Sequence, residues 1–190
     1  PEGAKILTYT CSAEWVVPDE YEIVRALVNS IKGDAFGQAY LVIRLLPGGE
    51  RNRYYLSEYE DSSLPVRLDT PDPSFAAMNA GSPGSKESIR EFVELMQYSD
   101  VVINVASTIT LDAILFDRPV VCPKFHLSIA NTDWNSIGNV YGSSHFSRVV
   151  DSGAVQLPER IEEMFEVIDI SLRTPEEKSE ERRKLSEQMM

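Results

Sequence analysis

The sequence predicts an α/β fold built on one open, doubly wound parallel sheet with helices on both faces. Aliphatic, strand-like runs alternate with amphipathic helical segments at least five times along the chain. The strand-like runs show no clear polar alternation, which is typical of strands buried on both faces of a parallel sheet. Because crossovers between parallel strands are right-handed, helices cover such a sheet on both sides. Ligands of these sheets bind outside the carboxyl ends of the strands.

Length and composition limit the domain count and the class of partner. A chain of 190 residues fits one domain with at most an appendage, and we place the domain at 1–174 and a charged C-terminal helix or tail at 175–190. Thirty acidic and eighteen basic residues give a formal net charge of −12, which repels nucleic acid and anionic membrane surfaces. We therefore expect no nucleic-acid partner. No run approaches the ~18 apolar residues of a membrane span, so we also expect no span.

The two cysteines indicate a reducing compartment. Cys11 and Cys122 lie far apart, each inside an apolar strand-like run, so they are expected to be small core residues. Their number excludes a disulfide scaffold and a cysteine zinc site. The chain begins at Pro1 rather than at Met, so we expect it to be part of a longer protein.

The individual elements follow from apolar periodicity and from capping residues. Pro18 opens the first helix and Gly33 stands where a left-handed C-cap is expected; Ser85 is a suitable N-cap for a later helix with an apolar stripe. The pair Val149 and Val150 is the last strand-like feature. We predict strands at 6–10, 40–46, 66–69, 101–106 and 119–122, helices at 18–31, 85–98, 107–116 and 158–172, and loops at 71–84 and 124–144.

The strongest local signal follows the strand predicted at 101–106. Ser107 and Thr108 are placed to cap a helix and to leave its first backbone N–H groups free, and the helix dipole would add partial positive charge there. This arrangement predicts an anion site. Asp112, just over one turn later, could accept hydrogen bonds from the vicinal hydroxyls of a sugar. The alternative is that Ser107 and Thr108 only cap a structural helix and that Asp112 only adds charge near its N-terminus.

The sequence around this signal carries a family resemblance. It reads LMQYSDVVINVAST at 95–108, LDA at 111–113 and RPVV at 118–121. This block resembles the donor-binding half of two-domain GT-B glycosyltransferases, with its nearest likeness to the branch of capsule and surface polysaccharide enzymes and CDP-glycerol glycerophosphotransferases. The order of elements and the segment HFSRVVDSGAV at 145–155 are similar as well. The resemblance thus covers most of the chain and implies a Rossmann-like domain, one half of a GT-B pair.

The resemblance also implies donor contacts at the predicted anion site. Ser107, Thr108 and the backbone N–H of Ile109 would hold the donor diphosphate, and Asp112 would hold the ribose. Ser12 matches a loop after the first strand that approaches the donor phosphates. No metal ion or other cofactor is implied, because helix N-termini and a basic side chain would stabilise the leaving phosphates.

The second predicted strand ends with a departure from the family pattern. Arg44 falls where relatives carry a basic residue, whereas Leu46 replaces the histidine of their His-Pro pair. Imidazole can transfer a proton near neutral pH and leucine cannot. Either Arg44 supplies the needed charge, or the activity differs from that of the glycerophosphotransferases. Alternatively, Arg44 is a strand-end arginine that reaches solvent.

The two histidines are the remaining candidates for catalysis. His126 follows the run Pro119 to Phe125 at the ligand-facing end of the sheet, and His145 precedes the final valine pair. Each such histidine is more often structural than catalytic. A metal-binding triad of histidines is not available.

The function implied by the resemblance is transfer of a sugar or a glycerol-phosphate unit to a cell-surface glycan or a similar acceptor. Its partners would be a nucleotide-sugar or nucleotide-polyol donor and a missing N-terminal, acceptor-binding domain. We expect the full protein in the cytoplasm or at the inner face of the membrane. Two alternatives remain: a nucleotide-sugar 2-epimerase-like enzyme, and a non-catalytic nucleotide-binding or scaffold domain, favoured if Leu46 marks a decayed site.

Overall fold

A five-stranded parallel sheet forms the centre of the computed structural model, which describes residues 3–60, 63–71, 85–127, 137–144 and 146–189. The strands lie in the order β3-β2-β1-β4-β5. Their bounds are β1 Lys5–Thr10, β2 Ala39–Arg44, β3 Val66–Asp69, β4 Val101–Ile103 and β5 Val120–Val121. The helices are α1 Glu20–Lys32, α2 Asn52–Tyr59, α3 Lys86–Tyr98, α4 Ile109–Leu115, α5 Ile137–Tyr141, α6 Ser147–Asp151, α7 Ile161–Arg173 and α8 Ser179–Met189.

The strand order confirms the predicted doubly wound α/β class. β1 pairs in parallel with both β2 and β4, so that Leu7 lies between Leu41 and Val101. With right-handed crossovers, this order places α1 and α2 on one face of the sheet and α3 and α4 on the other. The core consists of the aliphatic residues of these strands together with the inner faces of the helices.

The helix predicted after β1 has its expected apolar stripe, but not its expected end. Val24, Leu27, Val28 and Ile31 are all buried. Gly33, however, has a φ of −81°, and the left-handed conformation falls one residue later, at Asp34, with a φ of 63°. An aspartate tolerates this region better than most residues, so the turn does not need the glycine.

Two strand predictions in the second half of the chain are wrong, and the loop predicted at 124–144 contains the short helix α5. The strand expected at 101–106 ends at Ile103 because Ala106 turns the backbone sharply, with a φ of 42°. Val149 and Val150 lie in the short helix α6 rather than in a strand. The buried position of Val149 in that helix outweighs the β propensity of a valine pair. The sheet instead gains an isolated parallel bridge between Val121 and Gln156.

The segment after residue 174 forms the helix α8, which is anchored to the rest of the protein. The side chain of Arg182 is 2% exposed, and its Nε lies 2.7 Å from Asp117 Oδ1. Leu185 is buried, and Lys178 Nζ donates to the carbonyl of Gly153 at 2.8 Å. In the described ranges, no helix combines the length and the apolar character needed to cross a membrane.

Candidate functional site

The strand order defines one position where a ligand cleft is expected. From β1 the chain continues toward β2, and from β4 it continues toward β5 on the other side. The loops after β1 and β4 therefore diverge and leave a crevice at the carboxyl ends of these two neighbouring strands. A cleft of about 420 Å³ opens there, with walls from the ends of β1 and β2, from α3 and from the start of α4.

Five of the six predicted donor contacts line this cleft. They are Arg44, Ser107, Thr108, Ile109 and Asp112. Ser12, the sixth, lines an adjoining cavity of about 190 Å³ on the side of α1 and α2. Cys11 and Leu46 belong to the walls of both spaces. The five residues that line the cleft come from two separate segments, the end of β2 and the stretch 107–112.

The turn between β4 and α4 differs in detail from the predicted anion site. α4 contains seven residues, and its N-cap residue Thr108 makes no side-chain cap hydrogen bond. The N–H of Ser107 donates to Asn104 Oδ1 at 3.4 Å, and the N–H of Ile109 donates to Ser107 Oγ at 3.3 Å. Two of the three amides are therefore already engaged, while that of Thr108 has no partner among the described residues. In so short a helix the hydrogen-bonding groups of the turn matter more than the dipole.

Ala106 gives this turn a strained backbone. Its φ of 42° lies in the left-handed region, which costs a non-glycine residue about 1 kcal/mol or more. This conformation changes the direction of the chain, so that Ser107 and Thr108 lie in the cleft wall instead of continuing β4. Strained residues of this kind are concentrated at functional sites.

Asp112 presents a carboxylate to the same cleft. No described residue donates a hydrogen bond or an ion pair to it, and burial alone raises the pKa of its carboxyl above the usual value. A half-buried carboxylate without a protein partner retains its capacity to accept hydrogen bonds from a ligand.

Arg44 is not the solvent-reaching arginine of the alternative interpretation. It is only 6% exposed. Its guanidinium forms an ion pair with Asp69, the residue beside it in the β2–β3 register, and lies 4.8 Å from the ring centroid of Phe92. The charge of Arg44 is thus fixed at the cleft wall by a carboxylate and an aromatic ring.

An apolar wall completes the cleft. Of the apolar stripe predicted on α3, Met96 is buried, whereas Ile89 is 40% and Val93 38% exposed. Ile89 and Phe92 line the cleft. Ser85 caps α3 as predicted, since its Oγ accepts from the N–H of Ser88 at 3.1 Å.

His126 has a structural environment. Its side chain is 2% exposed, and its Nδ1 lies 3.0 Å from Asp19 Oδ1. The second oxygen of Asp19 accepts from the N–H of Leu127. This pair fastens the segment after β5 to the start of α1, and His126 is not among the described residues that line either cavity. His145 lies outside the described residues.

The adjoining cavity contains a buried polar cluster that the sequence analysis missed. Glu20 is 1% exposed; its Oε1 accepts from the N–H of Ser12 at 2.6 Å, and its Oε2 lies 3.6 Å from Arg51. The hydroxyl of Tyr55 donates to the same Oε2 at 3.4 Å. Burial raises the pKa of Glu20 to about 7, although the hydrogen bond from Ser12 and the charge of Arg51 act in the opposite direction. Burial likewise raises the pKa of the Cys11 thiol.

The chemistry of the cluster and cleft is that of hydrogen bonding and proton exchange. Within the described ranges, no group of three His, Cys, Asp or Glu side chains is placed to hold a metal ion. In the sequence, the acidic residues at the start of α1 are the one feature that points to this cluster. Its members come from distant segments, as Glu20 and Tyr55 are 35 residues apart, so no local pattern connects them.

Comparisons with known proteins identify related structures but no related sequence. No protein-family model matches the chain, and no curated protein is detectably similar to it. The UDP-GlcNAc 2-epimerase from Neisseria meningitidis, solved with UDP-GlcNAc, has a TM-score of 0.59 and 16% identity over 100% of this chain and 45% of that protein. The UDP-GlcNAc 2-epimerase from Methanocaldococcus jannaschii, in complex with UDP-GlcNAc and UDP, has a TM-score of 0.55 and 14% identity over 98% and 45%.

A glycosyltransferase is similar to the chain as well. The glycotransferase of kitacinnamycin has a TM-score of 0.51 and 12% identity over 98% of this chain and 39% of that protein. The chain therefore spans less than half of each of these proteins. At these identities the likeness concerns the fold, and the chain has the Rossmann-like fold of one half of a GT-B-type protein.

Proposed function

We propose that the chain is the donor-binding, C-terminal half of a GT-B glycosyltransferase and that the cleft binds a nucleotide-sugar or nucleotide-polyol. The observation that carries this proposal is the position of the cleft. Five residues expected to contact the donor line one space at the divergence of the β1 and β4 loops, where doubly wound sheets bind nucleotides. Two structures with the same fold were solved with UDP-GlcNAc.

In this proposal each cleft residue has a chemical role. Ser107, Thr108 and the Ile109 N–H contact the diphosphate, and Arg44 supplies positive charge beside it, so that charge on the phosphate of the departing nucleotide is stabilised without a required metal ion. The carboxylate of Asp112 accepts hydrogen bonds from the ribose hydroxyls. Ser12 contacts the donor from the neighbouring loop.

Transfer itself requires groups that these residues do not provide. The reaction is a direct displacement, in which an acceptor hydroxyl attacks the donor and a base takes its proton. A nucleoside diphosphate leaves when a sugar is transferred, and a nucleoside monophosphate leaves when glycerol phosphate is transferred. Leu46 cannot be that base, and His126 is buried against Asp19. We therefore assign the base and the acceptor site to a facing N-terminal domain. We propose a capsule or surface polysaccharide, or a glycerol-phosphate polymer, as the class of product, and the cytoplasm or the inner face of the membrane as the place of action.

A nucleotide-sugar 2-epimerase is the second candidate, because UDP-GlcNAc 2-epimerases are among the structures with this fold. An epimerase would return an altered nucleotide-sugar. A transferase would release a nucleoside diphosphate (sugar transfer) or a nucleoside monophosphate (glycerol-phosphate transfer) only when an acceptor is present. Product analysis with the full-length protein distinguishes the two.

The binding step is tested by titrating the backbone amide signals of Ser107, Thr108 and Ile109 with UDP, CDP and GDP. We expect shifts at these amides and at Asp112, with little change at Ile170 on α7 as a remote control. Absence of shifts at millimolar ligand in the folded protein contradicts the donor-binding proposal and favours the scaffold alternative.

A further inference from the structure

Two buried polar groups at the carboxyl ends of β1 and β4, beside the cleft, have no partner among the described residues. Four buried side-chain atoms of the described residues lack a hydrogen-bond partner: Tyr9 Oη, Thr10 Oγ1, Asn104 Nδ2 and Arg118 Nε. Thr10 is 2% exposed and Asn104 is fully buried. Native proteins leave few such groups unsatisfied, so each one calls for an explanation.

Thr10 and Asn104 are neighbours at the place where the two loops diverge. Tyr9 pairs with Ile103 in the β1–β4 register, so the next residue of each strand stands side by side. Thr8, two residues before Thr10 and on the same face of β1, bonds to Ser99 at the end of α3. Thr10 therefore points to the α3 side, where it lines the cleft.

The surroundings of Asn104 determine which end of its carboxamide is unpaired. Its Oδ1 accepts from the N–H of Ser107 at 3.4 Å and from the hydroxyl of Thr110 at 2.8 Å. A backbone N–H can only donate, so the oxygen must face Ser107 and the NH₂ group is the end without a partner. Thr110 belongs to α4, which places Asn104 on the same side of the sheet as Thr10.

We propose that the Thr10 hydroxyl and the Asn104 carboxamide N–H are ligand contacts that hold a phosphate-type group between the ends of β1 and β4. Both groups can donate, and an anion with several acceptor oxygens satisfies both at once. The unpaired N–H of Thr108 and the guanidinium of Arg44 line the same cleft. This inference rests on the proposed function, which it deepens by naming two contacts for the diphosphate that the family pattern did not assign.

The first test observes Asn104 directly. The side-chain NH₂ signals of Asn104 are followed by NMR while the 190-residue chain is titrated with inorganic pyrophosphate and, separately, with UDP, CDP and GDP. Calorimetry measures the same ligands. We expect the Asn104 signals to shift with pyrophosphate and with at least one nucleoside diphosphate.

The outcomes separate this inference from the proposed function. If a nucleoside diphosphate binds and the Asn104 signals stay in place, this inference is wrong and the donor-binding proposal stands. If pyrophosphate shifts Asn104 and no nucleotide binds, the phosphate site stands and the nucleotide proposal is wrong. If nothing binds, both are wrong.

The second test uses a matched pair of threonines on one strand. Thr10→Val removes the unpaired hydroxyl, Thr8→Val removes the hydroxyl that bonds to Ser99 at 2.6 Å, and Thr10→Ser retains a hydroxyl. We expect Thr10→Val to weaken binding of the responsive ligand roughly five- to tenfold without lowering the urea midpoint. Thr8→Val should lower that midpoint and leave binding unchanged, and Thr10→Ser should restore most of the affinity.

A structural role for Thr10 would give the reverse pattern. If Thr10→Val lowers the urea midpoint as much as Thr8→Val does and leaves the affinity unchanged, the Thr10 hydroxyl is satisfied within the folded protein. That result overturns the inference.

Discussion

Two groups of buried polar side chains flank the end of β1, and they differ in whether their hydrogen bonds are made. On the α1–α2 side, Glu20 accepts from Ser12 and Tyr55 and lies beside Arg51, which itself donates to the carbonyls of Val17, Pro18 and Ser12. On the α3–α4 side, the Thr10 hydroxyl and the Asn104 NH₂ have no partner.

The difference assigns separate tasks to the two groups. A paired buried cluster holds the loop after β1 against α2, so a change there should appear mainly as a change in stability. The unpaired Thr10 hydroxyl and Asn104 NH₂ make no stabilising hydrogen bond and retain their capacity for a ligand, so removal of the Thr10 hydroxyl should appear mainly as a change in affinity.

The largest effect on stability is expected for Arg51→Met. The substitution leaves the Glu20 carboxylate and three backbone carbonyl groups without their cation, and breaking one partner of a buried pair costs about 3–5 kcal/mol. Urea unfolding at pH 8 measures the loss, with Arg53→Met as a control two residues away in the first turn of α2, because Arg53 is exposed. Equal midpoints for the two variants would show that the cluster is not a structural support.

The next effect is the pH dependence that Glu20 contributes. Its pKa of about 7 in the folded protein exceeds its usual value, so the folded state binds the extra proton between about pH 4.5 and pH 7. The associated stability is full below that window and is lost as the pH rises through 7, by about 3 kcal/mol at 1.36 kcal/mol per pH unit. We expect the unfolding free energy of wild type minus that of Glu20→Gln to fall across this window; a flat difference contradicts the assignment.

On the ligand side, Asp112→Asn should weaken nucleotide binding by ~1–2 kcal/mol through loss of a charge-assisted hydrogen bond to the ribose. The urea midpoint should barely change. Calorimetry with a ribonucleotide and its deoxy analogue checks the role, because the deoxy compound should bind wild type and variant almost equally. If the affinity for the ribonucleotide is unchanged, Asp112 does not contact the ribose and only adds charge near the start of α4.

The smallest effect is expected for Ser107→Ala. Its Oγ accepts from the Ile109 N–H at the long distance of 3.3 Å, so its loss should change stability and affinity by about 0.5–1 kcal/mol each. The same urea and calorimetric measurements apply. A loss of affinity larger than that of Asp112→Asn would instead make the Ser107 hydroxyl a principal ligand contact.

The fold could be predicted from the sequence because its main signals are local. The aliphatic run that became β2 and the stripe of Val24, Leu27 and Ile31 on α1 each identify an element without reference to the rest of the chain. The general position of the cleft also followed, since the loops after parallel strands are known once the strands are. Only the turn at Ala106, which needed a positive φ in a non-glycine residue, altered the expected geometry there.

The remaining features depend on contacts between distant segments. His126 meets Asp19 across 107 residues of sequence, and Glu20 meets Tyr55 across 35. In each of these two pairs, the sequence around one residue does not indicate which residue it will contact. The missing partner of Thr10 is still harder to foresee, because a sequence pattern does not record which hydrogen bonds go unmade.

Cys11 and Leu46 form a wall shared by the cleft and the adjoining cavity, so a substitution at one of these positions would change the space available to a ligand. These two residues line both the cleft and the adjoining cavity. Both are half-buried, and Leu46 follows the end of β2. Replacing it with alanine would join the two spaces without moving a strand, and a longer or more branched ligand would then fit. A shorter side chain at position 46 is therefore expected to admit a larger ligand at the proposed donor site while leaving Thr10 and Asn104 unchanged.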